Sequence, residues 1–140
     1  MARDQTLVID ASVALKWFVD EIHTEKALKL REFLRKDATP VVPALFFYEI
    51  ANVLRYKPEF GSNDVMNIIK TLLNFQFKIE LLDEKLTDLT AKLAYQFGIT
   101  IYDASYIAIG QLYQVHFITA DEKLVSQIQN EQVILLENWK

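Results

Sequence analysis

The sequence predicts an α/β fold, a three-layer α/β/α sandwich with a central, mostly parallel five-stranded sheet, and three observations carry that expectation. Short apolar runs recur near residues 6–10, 39–43, 77–82, 115–119 and 132–136. Longer segments with helical spacing separate them, and such alternation requires crossover connections that make strands parallel and put helices on both faces. Two of the runs lead into a carboxylate, Leu7-Val8-Ile9-Asp10 and Phe117-Ile118-Thr119-Ala120-Asp121. Open α/β sheets gather their ligand sites in the crevice outside the strands' carboxyl ends, so distant strands can deliver acids to one spot.

The elements follow in order. After the first strand a helix is expected over about 12–19, with Asp10 in the position of an N-cap, and a second over 23–36. The strand near 39–43 leads into two helical patterns, 44–56 and 63–75. Lys57-Pro58-Glu59-Phe60-Gly61-Ser62 splits them, its Pro and Gly punctuating a helical hairpin whose second helix Ser62 or Asn63 would cap. Helices over 84–97 and 103–114 come between the third and fourth strands, the latter carrying the small residues Ala104, Ala108 and Gly110 for close packing on the sheet. A last helix over 121–129 precedes the fifth strand, and Asp121 also reads as an ordinary helix start.

With 140 residues and 51% hydrophobic content, residues 1–140 suffice for one domain. Three Gly and three Pro, all dispersed, leave no stretch with the composition of a linker. The absence of Cys excludes disulfides, thiolate zinc sites and cysteine nucleophiles, and fits a reducing compartment, with cytoplasm as the expectation. No apolar run reaches the roughly 18 residues of a membrane span. The net charge is −4, from 19 acids and 15 bases. A phosphate-bearing partner would therefore have to be held by local bases or by bound cations, since ions held by acids invert the local field.

Four acids stand out because each interrupts or closes an apolar run: Asp10, Glu49, Asp103 and Asp121. Asp10 and Asp121, taken alone, are explicable as helix caps. Glu49 is not. It lies in Pro43-Ala44-Leu45-Phe46-Phe47-Tyr48-Glu49-Ile50-Ala51-Asn52-Val53-Leu54-Arg55, a helix apolar around most of its circumference and so expected to be largely buried. Glu49, Asn52 and Arg55 recur at i, i+3 and i+6 as one thin polar stripe, which either faces water or lines a polar cavity. Asp103 sits near the start of an equally apolar helix, where the helix dipole favours its charge. The conjunction of the four favours one shared acidic pocket and a metal site.

These residues resemble the PIN domain, and within it the VapC-like toxin ribonucleases of toxin–antitoxin pairs. The resemblance spans nearly the whole chain and rests on Val8-Ile9-Asp10-Ala11-Ser12, Tyr48-Glu49-Ile50-Ala51-Asn52-Val53-Leu54-Arg55, Tyr102-Asp103-Ala104 and Ile118-Thr119-Ala120-Asp121-Glu122-Lys123-Leu124, in the family's order. It implies that Asp10, Glu49, Asp103 and Asp121 are the catalytic, metal-binding acids, with Ser12 and Thr119 at the accompanying hydroxyl positions and Asn52 at the usual amide. It further implies an RNA substrate cut by a metal-dependent endonuclease, a homodimer, and a small antitoxin protein that occupies the cleft. Ser105, where many relatives carry a larger apolar residue, and the scarcity of bases near the cleft are departures from that pattern.

Packed carboxylates repel and take up protons unless a cation intervenes, and oxygen ligands without Cys or paired His suit Mg²⁺ or Mn²⁺. Asp10 and Asp103 would be the main ligands, Asp121 an outer or second-ion ligand, and Glu49 a ligand or water-orienting base, with Thr119 and Ser12 orienting ligands or solvent. Lys16, Arg55 and Lys123 are candidate phosphate contacts, each also readable as surface charge. His23 and His116 lack ligand spacing. The aromatics Trp17, Phe18, Phe46, Phe47 and Tyr48 read either as core or as a partner surface. A Mg²⁺-dependent phosphatase or receiver-like phosphotransfer domain is demoted, because position 12 is Ser rather than the second Asp such phosphatases use. A catalytically silent binding module, its acids merely capping helices, is the remaining alternative.

Overall fold

A computed structural model describes residues 5–140, and all five expected strands are among them. They are β1 (Gln5–Ile9), β2 (Ala38–Pro43), β3 (Lys78–Glu80), β4 (Phe117–Thr119) and β5 (Val133–Leu135). Their order across the sheet is β3-β2-β1-β4-β5, and every pairing is parallel, so the mostly parallel sheet of the sequence is wholly parallel among the described residues. Among the described residues seven α-helices surround it: α1 (Ala11–Leu15), α2 (Thr24–Lys36), α3 (Leu45–Arg55), α4 (Ser62–Leu73), α5 (Glu84–Phe97), α6 (Ile101–Tyr113) and α7 (Glu122–Ile128).

Strand order places the functional crevice. The chain adds β2 and β3 on one side of β1 and returns to add β4 and β5 on the other, so the topological switch point lies between β1 and β4. There Val8 pairs with Phe117 and Ile9 with Ile118, and the Asp10 amide extends the ladder by donating to the Ile118 carbonyl at 3.0 Å. The residues that follow both strands thus emerge side by side. Val8, Ile9, Val41, Val42, Phe117 and Ile118 are almost wholly shielded from water, as strands covered on both faces must be. The edge strands β3 and β5 are three residues long and partly exposed, which limits unwanted pairing.

α6 packs across β1, β2 and β4 and is buried continuously from Ala104 to Gly110. A Cβ on Gly110 would stand 3.3 Å from the Val115 carbonyl oxygen and 3.8 Å from the Phe117 Cβ, which accounts for the small residue there. Under α3 the rings of Phe46, Phe75 and Phe77 meet at centroid distances of 5.0–5.1 Å, and Trp17 joins Phe75 at 5.2 Å. Trp17, Phe46 and Phe47 are therefore core, Phe18 is partly buried, and Tyr48 alone of the five aromatics is turned out.

Three local expectations are corrected. The first helix ends at Leu15 rather than near 19, because Trp17 swings inward and its indole N–H donates to the Ala27 carbonyl at 2.9 Å. α4 is capped by neither Ser62 nor Asn63. Gly61 holds the cap position, and the Asp64 carboxylate accepts its N–H at 2.8 Å. α6 starts at Ile101, two residues before the expected start, since Thr100 caps it by accepting the Asp103 N–H at 3.0 Å.

Candidate active site

Asp10 follows the last residue of β1 and occupies the cap position of α1, yet its carboxylate caps nothing. It turns instead to two hydroxyls: Ser12 Oγ donates to Oδ2 at 3.0 Å and Thr119 Oγ1 to the same oxygen at 2.7 Å. Each hydroxyl in turn accepts a backbone N–H, Ser12 from Ala120 at 3.0 Å and Thr119 from Asp121 at 3.1 Å. With their lone pairs engaged, both hydroxyls aim their protons at Asp10. This relay ties the end of β1 to the end of β4 and leaves Oδ1 without a side-chain partner. Asp10 is 8% exposed and Thr119 fully buried. Burial pushes the Asp10 carboxyl above its ordinary range, the two hydroxyls pull it back down, and the Asp103 charge adds to the rise.

Glu49 approaches from α3. Its Oε1 accepts the hydroxyl of Tyr106 at 2.6 Å. The Tyr106 ring is fully buried and stacks on Phe117 at 5.4 Å, so the donor is fixed by packing. Burial raises the Glu49 carboxyl to about 7; the Tyr106 hydrogen bond opposes the rise, while the charges of Asp10 and Asp103 add to it. Sequence reasoning missed Tyr106. The signal was available, since Tyr106 lies one helical turn beyond Asp103 on an apolar helix, and a buried tyrosine hydroxyl needs a partner.

Asp103 stands half-buried in the first turn of α6. Burial raises its carboxyl, the neighbouring Asp121 charge raises it further, and Thr100 counteracts both. Thr100 is the second supporting residue the sequence did not reveal. Asp121 behaves as its local sequence suggests: it is exposed and caps α7, its Oδ1 accepting the Leu124 N–H at 3.1 Å. Electrostatically the four acids form a chain. Glu49 and Asp10 feel each other and Asp103, and Asp103 feels Asp121.

The other candidates separate. Ser12 and Thr119 orient Asp10 rather than solvent. Asn52 and Arg55 are exposed and line a groove with Glu49, so the polar stripe of α3 opens on that groove rather than joining the carboxylates. Lys16 is buried, its ammonium 3.6 Å from the Glu21 carboxylate. Lys123 is exposed. His23 pairs with Glu137 at 3.1 Å, and His116 is exposed.

Every candidate ligand here is a carboxylate oxygen, and the site holds repelling acids met by hydroxyl and backbone N–H donors that bring no formal charge. That chemistry fits a hard divalent cation. Among the described residues no three His, Asp or Glu side chains form a ready-made cage. Mg²⁺ tolerates this, because it keeps several waters and takes one or two carboxylates together with substrate phosphates.

The fold and site define an α/β domain whose sheet is wholly parallel among the described residues and whose carboxylates gather at the switch point. The family model for the PIN domain matches residues 7–128, and the chain belongs to that family. It is 29% identical over 126 residues to "Ribonuclease VapC3" of Pyrobaculum aerophilum, covering 86% of this chain and 93% of that protein. Among solved structures, a toxin-antitoxin complex from Klebsiella pneumoniae superposes with a TM-score of 0.71 over 93% of this chain and 97% of the other, at 15% identity. VapBC2 of Rickettsia felis, solved bound to a DNA fragment from its promoter, gives 0.69 over 97% of this chain and 100% of the other, at 16% identity. At those identities the two structures speak to the fold.

Proposed function

We propose that residues 1–140 form a single domain that is a divalent-metal-dependent endoribonuclease, the toxin of a type II toxin–antitoxin pair. The observation that carries the reading is Asp10: a buried carboxylate at the switch point of a PIN domain, supported by two hydroxyls and by no cation among the described residues, with Glu49 and Asp103 within electrostatic reach. The ribonuclease named among its relatives and the toxin–antitoxin complexes that share its fold support the activity and the class of partner. The phosphatase, receiver and silent-module alternatives have no such support.

In this reading Asp10 and Asp103 hold Mg²⁺ or Mn²⁺, with Asp121 as an outer ligand. The bound ion would acidify water and neutralise charge on the phosphate. The chain's own residues do the rest. Ser12 and Thr119 hold Asp10 through Oδ2, which would leave Oδ1 to the ion. Tyr106 holds Glu49 through Oε1, leaving Oε2 to accept a proton from the attacking water, a role suited to a carboxyl poised near neutrality. We further infer a homodimer acting in the cytoplasm and silenced by a small antitoxin. No helix among the described residues is long and apolar enough to cross a membrane.

The test is incubation of the purified chain with total RNA in Mg²⁺ or Mn²⁺, with and without chelator, beside Asp10→Asn and Asp103→Asn. Metal-dependent cleavage absent from both variants is expected. Cleavage that survives chelation, or full activity in both variants, would overturn the assignment. Co-expression with the neighbouring gene should recover a small protein bound to the chain, and recovery of the chain alone counts against an antitoxin.

A further inference from the structure

The polar stripe of α3 leads out of the carboxylate cluster into a groove of about 750 Å³, a volume in the range that holds small ligands. Glu49, Asn52 and Arg55 line one side, and Tyr48, Val65 and Tyr102 complete it. The hydrolytic chemistry uses only Glu49. Tyr48 is 78% exposed and Tyr102 63% exposed, and neither hydroxyl has a hydrogen-bond partner among the described residues. Both rings stand largely in water beside the carboxylates. Arg55 is exposed, its guanidinium over the Tyr56 ring at 5.4 Å, with no carboxylate pairing it among the described residues. It lies six residues past Glu49, about 9 Å further along the helix axis. A second hollow of about 460 Å³ shares Arg55 and Val65 and adds Phe60 and Met66, so the groove continues away from the acids.

We propose that this groove seats an unstacked nucleotide of single-stranded RNA beside the scissile phosphate, its base against Tyr48 and Tyr102 and its onward phosphate against Arg55. The proposal rests on reading the carboxylate cluster as a phosphodiester-cleaving centre. Continuity is the first ground, because Glu49 belongs to both the cluster and the groove wall. Charge is the second. A chain with net charge −4 gains little from the phosphate backbone as a whole. Stacking on aromatic rings supplies affinity that does not depend on charge, and one cation suffices to set the direction of the strand. Single-strandedness follows from the same geometry, since in a duplex the faces of each base are covered by its neighbours. Asn52, with an amide donor and acceptor on the same side, could read a base edge. The shortage of bases near the cleft thereby acquires a cause: aromatic faces take over part of their task.

The test uses fluorescence polarisation of labelled oligoadenylate, oligouridylate and the duplex they form, in Mg²⁺, with cleavage read by gel on the same samples. Wild type should bind the single strands more tightly than the duplex. Tyr48→Ala and Tyr102→Ala should each weaken single-strand binding about 5- to 100-fold, whereas Tyr48→Phe and Tyr102→Phe retain it. Arg55→Ala should lower the dependence of log affinity on log salt by about one unit. Unchanged binding in both alanine variants, or no single strand bound by wild type, overturns the proposal. So does unchanged RNA binding with loss of a co-expressed partner protein, which would make the groove a protein-docking face. Strands bound in a tyrosine-dependent way but never cut would leave this seat standing while the nuclease reading fails. Thermal melting of each variant separates binding loss from misfolding.

Discussion

The four acids divide into two pairs held in different ways. Asp10 and Glu49 are gripped by side-chain hydroxyls, from Ser12 and Thr119 in one case and Tyr106 in the other. Asp103 and Asp121 sit at helix starts, where backbone amides are near, and Asp121 spends one oxygen on the Leu124 N–H. Hydroxyls orient a carboxylate but bring no formal charge. Burial therefore outweighs them, and both inner carboxyls stay above their ordinary range. The inner pair is thus incomplete without a cation, and so is Asp103, whose carboxyl is also raised by burial and by the Asp121 charge; of the four, Asp121 is the one largely accounted for by helix architecture. Strain of this kind is what a stability–function trade-off looks like at the level of residues.

The contrast is sharpest in Asp10→Asn. Activity should fall about a thousandfold or more, since an ion held there supplies several kcal/mol of transition-state stabilisation. Melting of the metal-free variant should nevertheless occur at equal or higher temperature than wild type, because the substitution removes a buried charge while its carbonyl oxygen still accepts from Ser12 or Thr119. A large drop in melting temperature would mean that the acid is structural. The pH dependence follows the same logic. Glu49 is raised from its ordinary value to about 7 in the folded chain, so between about pH 4.5 and 7 the folded state holds a proton that the unfolded state has lost. The stability of the metal-free protein must then decline as pH rises through that window. Mg²⁺ should reverse the decline. Denaturant midpoints at pH 5 and 7, with ion and with chelator, measure it, and a flat chelated profile would show that Glu49 is not so raised.

Tyr106→Phe probes the grip on Glu49 without emptying the core, since the ring and its stack on Phe117 remain. A fall in kcat of about 10- to 100-fold is expected, with KM little changed, as for loss of an orienting partner behind a functional group. Because the Tyr106 hydrogen bond lowers the Glu49 carboxyl, its removal should also move the acid limb of the pH–rate profile upward. A merely structural tyrosine would leave that limb in place.

Much of this was readable in the residues, and unevenly so. The strands were legible because a sheet covered on both faces needs continuous apolar runs, and Val8-Ile9 and Phe117-Ile118 are such runs. Asp10 and Glu49 stood out because carboxylates that close a buried strand or interrupt an apolar helix require a reason. What could not be read was tertiary partnership. Ser12 meets Ala120 across 108 residues and Tyr106 meets Glu49 across 57. Nothing local distinguishes those hydroxyls from any other, and Asn52, whose spacing matched Glu49 perfectly well, faces the groove instead. Cap positions failed for a different reason. Thr100 and Gly61 displaced the expected starts through local i,i+3 bonds, the Thr100 hydroxyl accepting the Asp103 N–H and the Asp64 carboxylate accepting the Gly61 N–H, and several neighbouring residues compete equally well for such positions.

The smallest effect discriminates most finely, at Asp121, where cap and ligand readings coexist on one carboxylate. Asn and Ser are as good as Asp at a helix N-cap, whereas Ala forfeits about 1 kcal/mol. Asp121→Asn and Asp121→Ser should therefore melt within a few tenths of a kcal/mol of wild type, while Asp121→Ala melts lower. If the carboxylate also serves the metal, all three variants lose activity together, by about tenfold, the scale of an outer contact to an ion. The Asp121 charge raises the Asp103 carboxyl. Its removal should thus let Asp103 ionise at lower pH, so the loss should be smallest on the acid side of the profile. Activity that tracks melting temperature instead, intact in Asn and Ser and reduced only in Ala, would return Asp121 to the role of a cap and leave the metal to Asp10 and Asp103.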